Sequence, residues 1–465
     1  MKKIYFLLIL FASTFLFKDL FSIYFFQDDF FMLSLARIKN FSDFLRFFLP
    51  HTDVQFYRPL SHELFFFVGK IIFGFNPLGF HFIVYSFYIS NIYLVYRLSR
   101  YFLNSSYAQY FITSLFSISA IHYNSLFWLA NFSYVLVTFI FLLSINIYLK
   151  YKSQKSILLI ILFILGLLTN ELMVMFPVVT TAYEVIYSKN KFVKNIRLFI
   201  SISIVLFLYL IWRFIIFKTN FNTYKYIFDG SVISSLRWYF LWSFNWAETM
   251  KDQMLHFYQV RPSFLQVFSK EYFTFLINLL IPILLMIVFP LLILIKDKKL
   301  KSYWKSQYKT LIFAISWFIL TLLPIVFIPN HISPHQGSIA IFGILLILVN
   351  SLDYLGNSLN KILKIVILLT VLIIWYFTSW TTMTVDNRIH WIYRRSNIAR
   401  YWMVKSHKLY PQLKPNTIVI INSDDYETQV ALGEGSAINE LYNDSSLKVI
   451  FSTKRADMKN SVYIP

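Results

Sequence analysis

Two adjacent carboxylates stand near the start of the chain, shortly after a first apolar segment ends. Asp28 and Asp29 belong to the motif QDDF at 27–30. Neighbouring carboxylates in a partly dehydrated site repel each other, so their protons come off as a coupled pair and one can reach the pKa that a general base needs. An acidic pair can also cap the following helix by accepting hydrogen bonds from the amides of Met32 or Leu33. Both interpretations stay open at this point.

The composition indicates the class of protein in which this pair must work. The chain has 465 residues, of which 58% are hydrophobic, 20% aromatic and only 14% charged. That is too apolar for a water-soluble globule, so we expect a polytopic membrane protein. The net charge of +21 is spread in short basic clusters between apolar runs, which is typical of topology signals and excludes nucleic acid as the partner. The absence of cysteine excludes disulfides, thiolate metal sites and a cysteine nucleophile.

Apolar runs predict an all-α membrane domain with about eleven transmembrane helices. The first run, 4–20, follows Lys2 and Lys3 and is interpreted as a membrane anchor. The other ten predicted spans are 79–97, 107–122, 132–149, 157–169, 172–187, 197–217, 273–295, 310–329, 336–353 and 361–381. The pair at 157–187 is either two short spans or a re-entrant pair, with Glu171 in the outer half.

The basic clusters predict the orientation of these spans. All of them fall on one side of the membrane, which the positive-inside rule assigns to the cytoplasm. The clusters are Arg97 and Arg100, Lys150 to Lys155, Lys189 to Arg197, Lys296 to Lys305, and Lys361 with Lys364. The amino terminus is therefore expected on the cytoplasmic side of a cytoplasmic membrane of bacterial type. The acidic pair and the C-terminal tail are expected outside.

Polar segments predict two outer loops and a soluble tail. The loops cover about 21–78 and 218–272, and amphipathic interfacial helices are expected within them around 44–48, 64–68 and 236–246. Residues 1–381 thus form the predicted transmembrane domain, and residues 382–465 form a small α/β tail. The tail pattern predicts a helix at 388–409, a strand at 417–421, a helix at 427–442 and a strand at 447–451. Asp424 and Asp425 are interpreted as a cap of the second of these helices.

The outer polar segments contain a series of short motifs: QDDF at 27–30, FYRPL at 56–60, FGFNPLGFH at 73–81, His122 with Trp128, and Asn170-Glu171 before Pro177. Taken together, these motifs are similar to those of the GT-C superfamily, integral membrane glycosyltransferases that use polyprenyl-phosphate sugars. Among its members, the chain resembles bacterial relatives of protein O-mannosyltransferases and of the tetratricopeptide-bearing transmembrane mannosyltransferases. The resemblance covers about the first 190 residues, and more loosely 317–343.

The resemblance implies a role for the acidic pair. An acidic residue of the first outer loop is thought to act as the catalytic base in such enzymes, and this role carries over to Asp28, with Asp29 as the alternate. A base at this place would deprotonate a hydroxyl acceptor as it attacks the anomeric carbon, with inversion of configuration. The expected partners are a polyprenyl-phosphate sugar donor, membrane lipid, and an acceptor that is a protein, a glycan or a lipid.

The leaving polyprenyl phosphate needs cations to neutralise its developing charge. Arg58 and Arg213 offer planar guanidinium groups that match phosphate oxygens. His335 stands where relatives commonly have an arginine, so the resemblance assigns it a donor phosphate contact, although a plain loop histidine is the alternative. For Arg58 the alternative is a structural ion pair with Asp53 or Glu63.

The remaining candidates are placed at the acceptor side or as support of the site: Tyr57, His81, His122, Trp128 and Glu171. His81 is equally typical of an interior histidine on an apolar helix face. At His122 the family often has an acidic residue soon after, whereas this chain reads His-Tyr-Asn-Ser at 122–125. Glu171 follows Asn170 where many relatives have Lys-Glu, so the carboxylate is kept and a candidate phosphate contact is lost.

No cofactor is required by the sequence. Asp28 and Asp29 could hold a divalent metal, but no DxD spacing or His and carboxylate cluster demands one. Two other functions compete with glycosyl transfer: a polymerase or ligase of surface polysaccharide, and a flippase or transporter of lipid-linked sugars. A transporter would be expected to carry polar groups near the bilayer midplane and related halves, and neither pattern is seen in this sequence.

Overall fold

The protein is described by a computed structural model over residues 2–49, 56–188, 195–216, 224–255, 259–285, 298–358, 361–453 and 460–465. Helices dominate, as the sequence predicts, and one small sheet lies near the C terminus. The helices are α1 (Lys2–Leu16), α2 (Asp28–Leu35), α3 (Phe41–Arg46), α4 (Glu63–Phe73), α5 (Pro77–Ser99), α6 (Ser106–Ser117), α7 (Tyr123–Phe127), α8 (Phe132–Tyr151), α9 (Ser156–Leu167), α10 (Met175–Tyr187), α11 (Ile196–Ile211), α12 (Ser231–Trp242), α13 (Met250–Gln253), α14 (Pro262–Ile283), α15 (Lys298–Val326), α16 (Ile341–Ser358), α17 (Lys361–Ile389), α18 (Trp391–Leu409), α19 (Tyr426–Ala431) and α20 (Ser436–Leu441). The strands are β1 (Ile418–Ile421), β2 (Lys448–Phe451) and β3 (Ser461–Ile464).

Several helices have the length and composition of membrane spans. In the described part of the chain, six stretches are long and apolar enough to cross a membrane: Pro77–Ser99, Leu129–Leu167, Ile196–Ile215, Pro262–Ile283, Gln307–Val326 and Ile362–Ile389. The second has 39 residues, more than one crossing needs. Lys152, with a φ of 52°, divides it into α8 and α9, in keeping with the two spans predicted there. The multi-pass helical character is therefore confirmed.

Four other predicted spans correspond to shorter apolar helices, and the first of them is α1, whose apolar part is Ile4–Leu16. α6 and α10 have 12 and 13 residues, and the apolar part of α16 runs from Ile341 to Asp353. α9 and α10 are joined by a tight 3-10 turn at Glu171–Val174, a geometry that both interpretations of 157–187 include. The end of the predicted span 273–295 and the basic cluster at 189–194 lie outside the described residues. The total of about eleven spans thus stays a prediction.

One compact unit comprises Met1–Phe17, Phe87–Tyr123 and Tyr134–Asp386. Its best-packed pair is α15 and α16, whose backbones touch at Gly343. A Cβ at this glycine would lie 2.5 Å from the carbonyl oxygen of Ala314 and 2.9 Å from the amide nitrogen of Phe318. α10 packs on α15, and α6 packs on α16. Any side chain at 343 would push the two central helices apart.

The aromatic run 236–246 forms the end of α12 and the turn that follows. Trp238, Tyr239 and Trp242 are each at most 4% exposed. Asn245 turns the chain with a φ of 63°, and its side-chain oxygen accepts a hydrogen bond from the amide of Ala120 at 2.9 Å. The predicted helix is confirmed, and these three rings are buried against other parts of the protein. The interfacial position of the helix stays a prediction.

The second compact unit comprises Lys18–Ser86, Asn124–Ser133 and Asn387–Pro465. It thus contains the first predicted outer loop together with the C-terminal tail, which begins close to the predicted boundary at 382. α2 packs against α4, α20, the turn Gly433–Gly435 and the turn Leu129–Asn131. Phe65 stacks on Phe132 with ring centroids 4.1 Å apart. The core of this unit is largely aromatic.

The tail contains a parallel sheet of three strands in the order β2-β1-β3. The predicted strands at 417–421 and 447–451 and the helix at 388–409 are confirmed to within a few residues. The predicted helix 427–442 is interrupted, because Gly433, Glu434 and Gly435 all adopt positive φ angles. β3 was not predicted from the short run Ser461–Ile464. Asp425 accepts hydrogen bonds from the amides of Glu427 and Thr428, which confirms the predicted cap.

A buried carboxylate joins the tail to the outer-loop segments of the same unit. Glu440 on α20 has a fully buried side chain, and its Oε1 accepts from Nε of Arg37 at 2.7 Å. Its Oε2 pairs with Nζ of Lys70 on α4 at 2.8 Å. Both cations are partly exposed, at 21% and 29%. One acidic side chain therefore holds three separate segments together.

We expect Glu440→Gln to lower the free energy of unfolding by about 1 to 3 kcal/mol, because it removes the charge that two cations share. The loss stays below that of a fully buried pair, since Arg37 and Lys70 can turn towards water. The measurement is thermal or denaturant unfolding of the purified protein. Asp43→Asn is the matched control, because Asp43 lies in an exposed capping box of α3. Equal stability of the two variants would contradict this role of Glu440.

Candidate active site

The acidic pair forms the first turn of α2. Gln27, directly before it, has a φ of 52° and a ψ of −121°, and its side chain makes no cap hydrogen bond. Asp28 and Asp29 therefore sit inside the helix, where the positive end of the helix dipole favours carboxylates. Since neither caps the helix through the amides of Met32 or Leu33, the capping interpretation is wrong.

Asp29 is held in place by the backbone through both of its oxygens. Its side chain is fully buried. Oδ1 accepts from the amide of Ala130 at 2.8 Å, and Oδ2 accepts from the amide of Phe26 at 3.2 Å. Burial raises the pKa of Asp29 well above its usual range, the two amides oppose this rise, and the neighbouring Asp28 carboxylate adds to it. Asp29 is thus built in as an anchor between α2 and the segment 124–133.

Asp28 is only partly enclosed and has a different set of neighbours. Its side chain lies close to that of Gln27. Burial raises the pKa of Asp28, while the side chain of Gln27 and the charge of Arg395 both lower it. Of the two carboxylates, Asp28 is the one that no backbone amide engages among the described contacts. It is therefore the one that can exchange a proton with a ligand.

Arg58 lies in the same unit and is 5% exposed. Its Nη1 donates to Oγ of Ser133 at 3.2 Å, and its guanidinium carbon lies 4.2 Å from the ring centroid of Phe56. Among the described residues Arg58 makes no ion pair with Glu63, so that half of the structural alternative finds no support. Its other predicted partner, Asp53, lies outside the described residues. Arg58 is positioned by the segment that also anchors Asp29.

Two buried titratable residues next to Arg58 were not predicted as functional. His62 and Glu63 are both 3% exposed at the start of α4. Burial and the nearby charge of Arg58 lower the pKa of His62 to about 3, and burial raises the pKa of Glu63 to about 7. Burial, together with the charge of Glu63, raises the pKa of Tyr57 to about 12, and the Tyr57 hydroxyl donates to the carbonyl of Phe48 at 2.9 Å. An acidic residue opening an apolar, Phe-rich helix was the only sequence signal.

Trp128 and His81 complete the predicted residues of this unit. Trp128 stacks on Phe26 with centroids 6.1 Å apart and meets Trp391 edge-on at 4.9 Å. Its indole nitrogen has no hydrogen-bond partner among the described residues. His81 is fully buried in α5, and its ring nitrogens approach the backbone of Ile23 and Leu126 without reaching hydrogen-bond geometry. Trp128 thus belongs to an aromatic cluster beside the acidic pair, and His81 belongs to the interior.

The other predicted site residues belong to the first unit: His122, Glu171, Arg213 and His335. Glu171 opens the 3-10 turn that Asn170 caps by accepting from the amide of Leu172 at 3.0 Å. Arg213 lies in a π-helical turn at the end of α11, a feature frequent at functional sites. Partial burial raises the pKa of Tyr226, with the Glu171 carboxylate raising it and the Arg213 guanidinium lowering it. Both charged groups therefore lie near the same phenol.

The two histidines of this unit are buried. His122 is 2% exposed, its Nδ1 lies 3.3 Å from Oγ of Ser338, and its ring packs against Phe116 at 4.6 Å. His335 is 5% exposed, and its Nδ1 lies 2.8 Å from Oγ of Ser333. The ring of His335 meets Tyr134 edge-on at 4.3 Å. Both contacts are those of enclosed histidines, and His335 is not an open loop residue.

Comparison with known proteins does not add a family. No family model, no curated protein and no solved structure matches the chain. Within the described residues, no group of three His, Asp or Glu side chains is arranged so that it could hold a metal ion.

Proposed function

We propose that this chain is a multi-pass membrane glycosyltransferase that moves one sugar from a polyprenyl-phosphate carrier to a hydroxyl acceptor. The observation that carries the proposal is the difference between the two adjacent carboxylates. Both carboxylate oxygens of Asp29 accept hydrogen bonds from backbone amides, whereas the neighbouring Asp28 side chain is partly exposed. A fixed anchor next to an available carboxylate is the arrangement that a positioned general base requires. The GT-C-like motifs and the apolar helices support the same conclusion.

In this mechanism Asp28 acts as the base of a single inverting displacement. The acceptor oxygen attacks the anomeric carbon, and its proton passes to the Asp28 carboxylate as the new glycosidic bond forms. The bond between the anomeric carbon and the phosphate oxygen breaks on the opposite face. The electron pair leaves with the polyprenyl phosphate, so no oxidant, reductant or covalent enzyme intermediate is needed.

The leaving phosphate requires nearby cations. We assign this role to Arg58, because its planar fork matches phosphate oxygens and it is fixed by Ser133 and Phe56. Arg213 and His335, which belong to the first unit, remain proposed contacts of the phosphate of the sugar donor. Glu171, Tyr57, His81, His122 and Trp128 remain proposed for the acceptor side or for support of the site. The acceptor is a protein, a glycan or a lipid.

The proposal places the reaction at the outer face of a cytoplasmic membrane. A polyprenyl chain must stay in lipid while its phosphate meets water, so the reacting groups belong at an interface. The amino terminus is then inside and the tail outside, with about eleven spans between them. Membrane lipid is accordingly a partner of the protein.

The direct test uses the purified protein in lipid nanodiscs with a radiolabelled polyprenyl-phosphate sugar and an envelope extract as the source of acceptors. We expect label to move from lipid to acceptor, and no transfer from a nucleotide sugar. Use of the nucleotide sugar itself would overturn the proposal. Movement of the labelled lipid between leaflets without transfer would identify a flippase. Extension of a lipid-linked glycan by repeat units would identify a polymerase.

We expect Arg58→Lys to raise the apparent KM for the lipid donor by roughly tenfold or more, because it keeps the charge and removes the fork. The measurement is initial rate against donor concentration. Arg46→Lys is the matched control, since it makes the same change at an arginine whose side chain is 70% exposed. An unchanged KM in Arg58→Lys would show that this arginine does not bind the phosphate.

A further inference from the structure

An arginine of the C-terminal tail is hydrogen-bonded to the residue directly before the proposed base. Arg395 on α18 donates from Nη1 to Oε1 of Gln27 at 2.6 Å. Gln27 directly precedes Asp28, and its side chain lies close enough to the Asp28 carboxylate to lower the pKa of that group. All of these residues lie in the second compact unit. A continuous polar chain therefore runs from the tail helix to the Asp28 carboxylate.

The guanidinium of Arg395 is fixed on its other sides. Its Nε and Nη2 donate to the two carboxylate oxygens of Glu427, at 3.0 and 3.1 Å. Its central carbon lies 5.0 Å from the ring centroid of Trp391, in cation-π range. Glu427 stands in the first turn of α19, whose start Asp425 caps. Glu427 therefore occupies one edge of the fork and Trp391 lies near one of its faces, which orients Nη1 towards Gln27.

Gln27 is itself held in a strained conformation by the tail. Its φ of 52° is in the left-handed region that non-glycine residues rarely adopt. Its amide donates to the carbonyl of Ala431 at 2.9 Å. Gly433 lies so close that a Cβ there would be 2.9 Å from the carbonyl oxygen of Gln27. The tail therefore determines both the backbone and the side chain of the residue before Asp28.

We propose that Arg395 is a positioning residue of the reaction, which acts through Gln27 to orient the Asp28 carboxylate and to keep it ionised. The inference rests on the proposed role of Asp28 as base. If Arg395 has this role, the C-terminal tail contributes to the reaction. Arg395 does not touch the substrate in this account.

The other charged groups around α2 are either in ion pairs or negative, so they do not stabilise ionised Asp28. Asp29 is the nearest neighbour of Asp28 and repels it. The elements packed against α2 also carry Glu63, Glu434, Lys70 and Glu440, and the last two are paired with each other at 2.8 Å. Of the charged groups that act on Asp28, Arg395 is the one that favours the ionised form. Removing it must therefore make Asp28 harder to deprotonate.

The test compares Arg395→Met with Arg394→Met. Arg394 is the adjacent residue of α18 and pairs with the same Glu427 at 2.9 Å, but it is 57% exposed and does not reach Gln27. We expect the acid limb of the pH–rate profile to move to higher pH only in Arg395→Met. At about pH 6 the rate should fall about tenfold, and it should recover at alkaline pH. A loss that is equal at every pH would mean that Arg395 is merely structural.

A second readout does not depend on activity. Dicyclohexylcarbodiimide modifies protonated carboxyl groups, so the labelling of Asp28 against pH, measured by peptide mass spectrometry, reports its ionisation directly. We expect the labelling midpoint to move to higher pH in Arg395→Met and to stay unchanged in Arg394→Met. Unchanged labelling in both variants would overturn the inference. A shifted midpoint in a protein that transfers no sugar would keep the Arg395 link and reject the proposed function.

Gln27→Met keeps the test decisive if Arg395→Met fails to fold, because it leaves the pair of Arg395 and Glu427 intact. It should move the labelling midpoint in the same direction. In the double variant with Arg395→Met the two shifts should sum to less than the total of the single variants, since part of each effect passes through the contact between Arg395 and Gln27. Arg395→Lys keeps the charge and should restore most of the normal midpoint. Independent, additive shifts would contradict a path through Gln27.

Discussion

Replacing Asp28 with asparagine is expected to abolish sugar transfer while the protein stays folded and binds its donor. Losing a general base typically lowers the rate about a hundredfold to ten-thousandfold. The amide has nearly the shape of the carboxylate, but it cannot take the acceptor proton. The measurement is the turnover of labelled polyprenyl-phosphate sugar at saturating donor, with donor binding measured separately.

The control for this result is the folded state of the variant. Asp28→Asn should unfold at nearly the same temperature as the parent protein, because Asp28 is not an anchor of the fold. If Asp28→Asn keeps near-normal turnover, the base lies elsewhere. Glu63 then becomes the first candidate of the same unit, since burial raises its pKa to about 7. Glu171 is the corresponding candidate of the other unit.

The sequence shows the acidic pair but does not distinguish the roles proposed for its two members. Asp28 and Asp29 have the same chemistry and adjacent positions, so composition and spacing treat them alike. What separates them is the amide of Ala130, which lies 101 residues further along the chain and binds Asp29. A single long-range backbone contact of this kind leaves no local pattern. Only the folded structure shows which carboxylate is the anchor.

In the C-terminal tail, local elements could also be predicted from the sequence, whereas long-range contacts could not. The runs rich in β-branched residues were enough to predict β1 and β2, because strand patterns are local. The Gly-Glu-Gly sequence that divides the predicted helix 427–442 is visible in the sequence, but the contact of Gly433 with Gln27 is not. Arg395 was one of many basic residues in a predicted helix. Its contact with Gln27 spans 368 residues.

The apolar segments predict helices reliably but do not predict the surroundings of individual rings. Length and hydropathy are enough to recognise helices that could cross a membrane. They do not distinguish an aromatic ring that faces lipid headgroups from one that packs against other helices. Trp242, with no exposed surface, is the clearest case. Burial of this kind is decided by neighbours in space rather than by neighbours in the sequence.

Replacing Asp29 with asparagine is expected to lower the free energy of unfolding by about 1 to 3 kcal/mol, even though the substitution is nearly isosteric. The carboxylate accepts two backbone hydrogen bonds, from Phe26 and from Ala130. An asparagine has one oxygen for the two amides, so its own NH₂ group must face the other N–H. A buried amide is then left without an acceptor, and a fully buried site offers no water to replace it.

The neighbouring Asp28→Asn variant is the matched comparison, because it makes the same chemical change one residue away. Thermal unfolding in the same detergent should separate the two, with Asp29→Asn less stable and Asp28→Asn close to the parent protein. The order of the two variants should be reversed for activity. Asp29→Asn that remains folded should keep measurable turnover, while Asp28→Asn should not. Equal stability together with equal loss of turnover would mean that the two carboxylates act as one unit. The distinction between an anchor and a base would then be wrong.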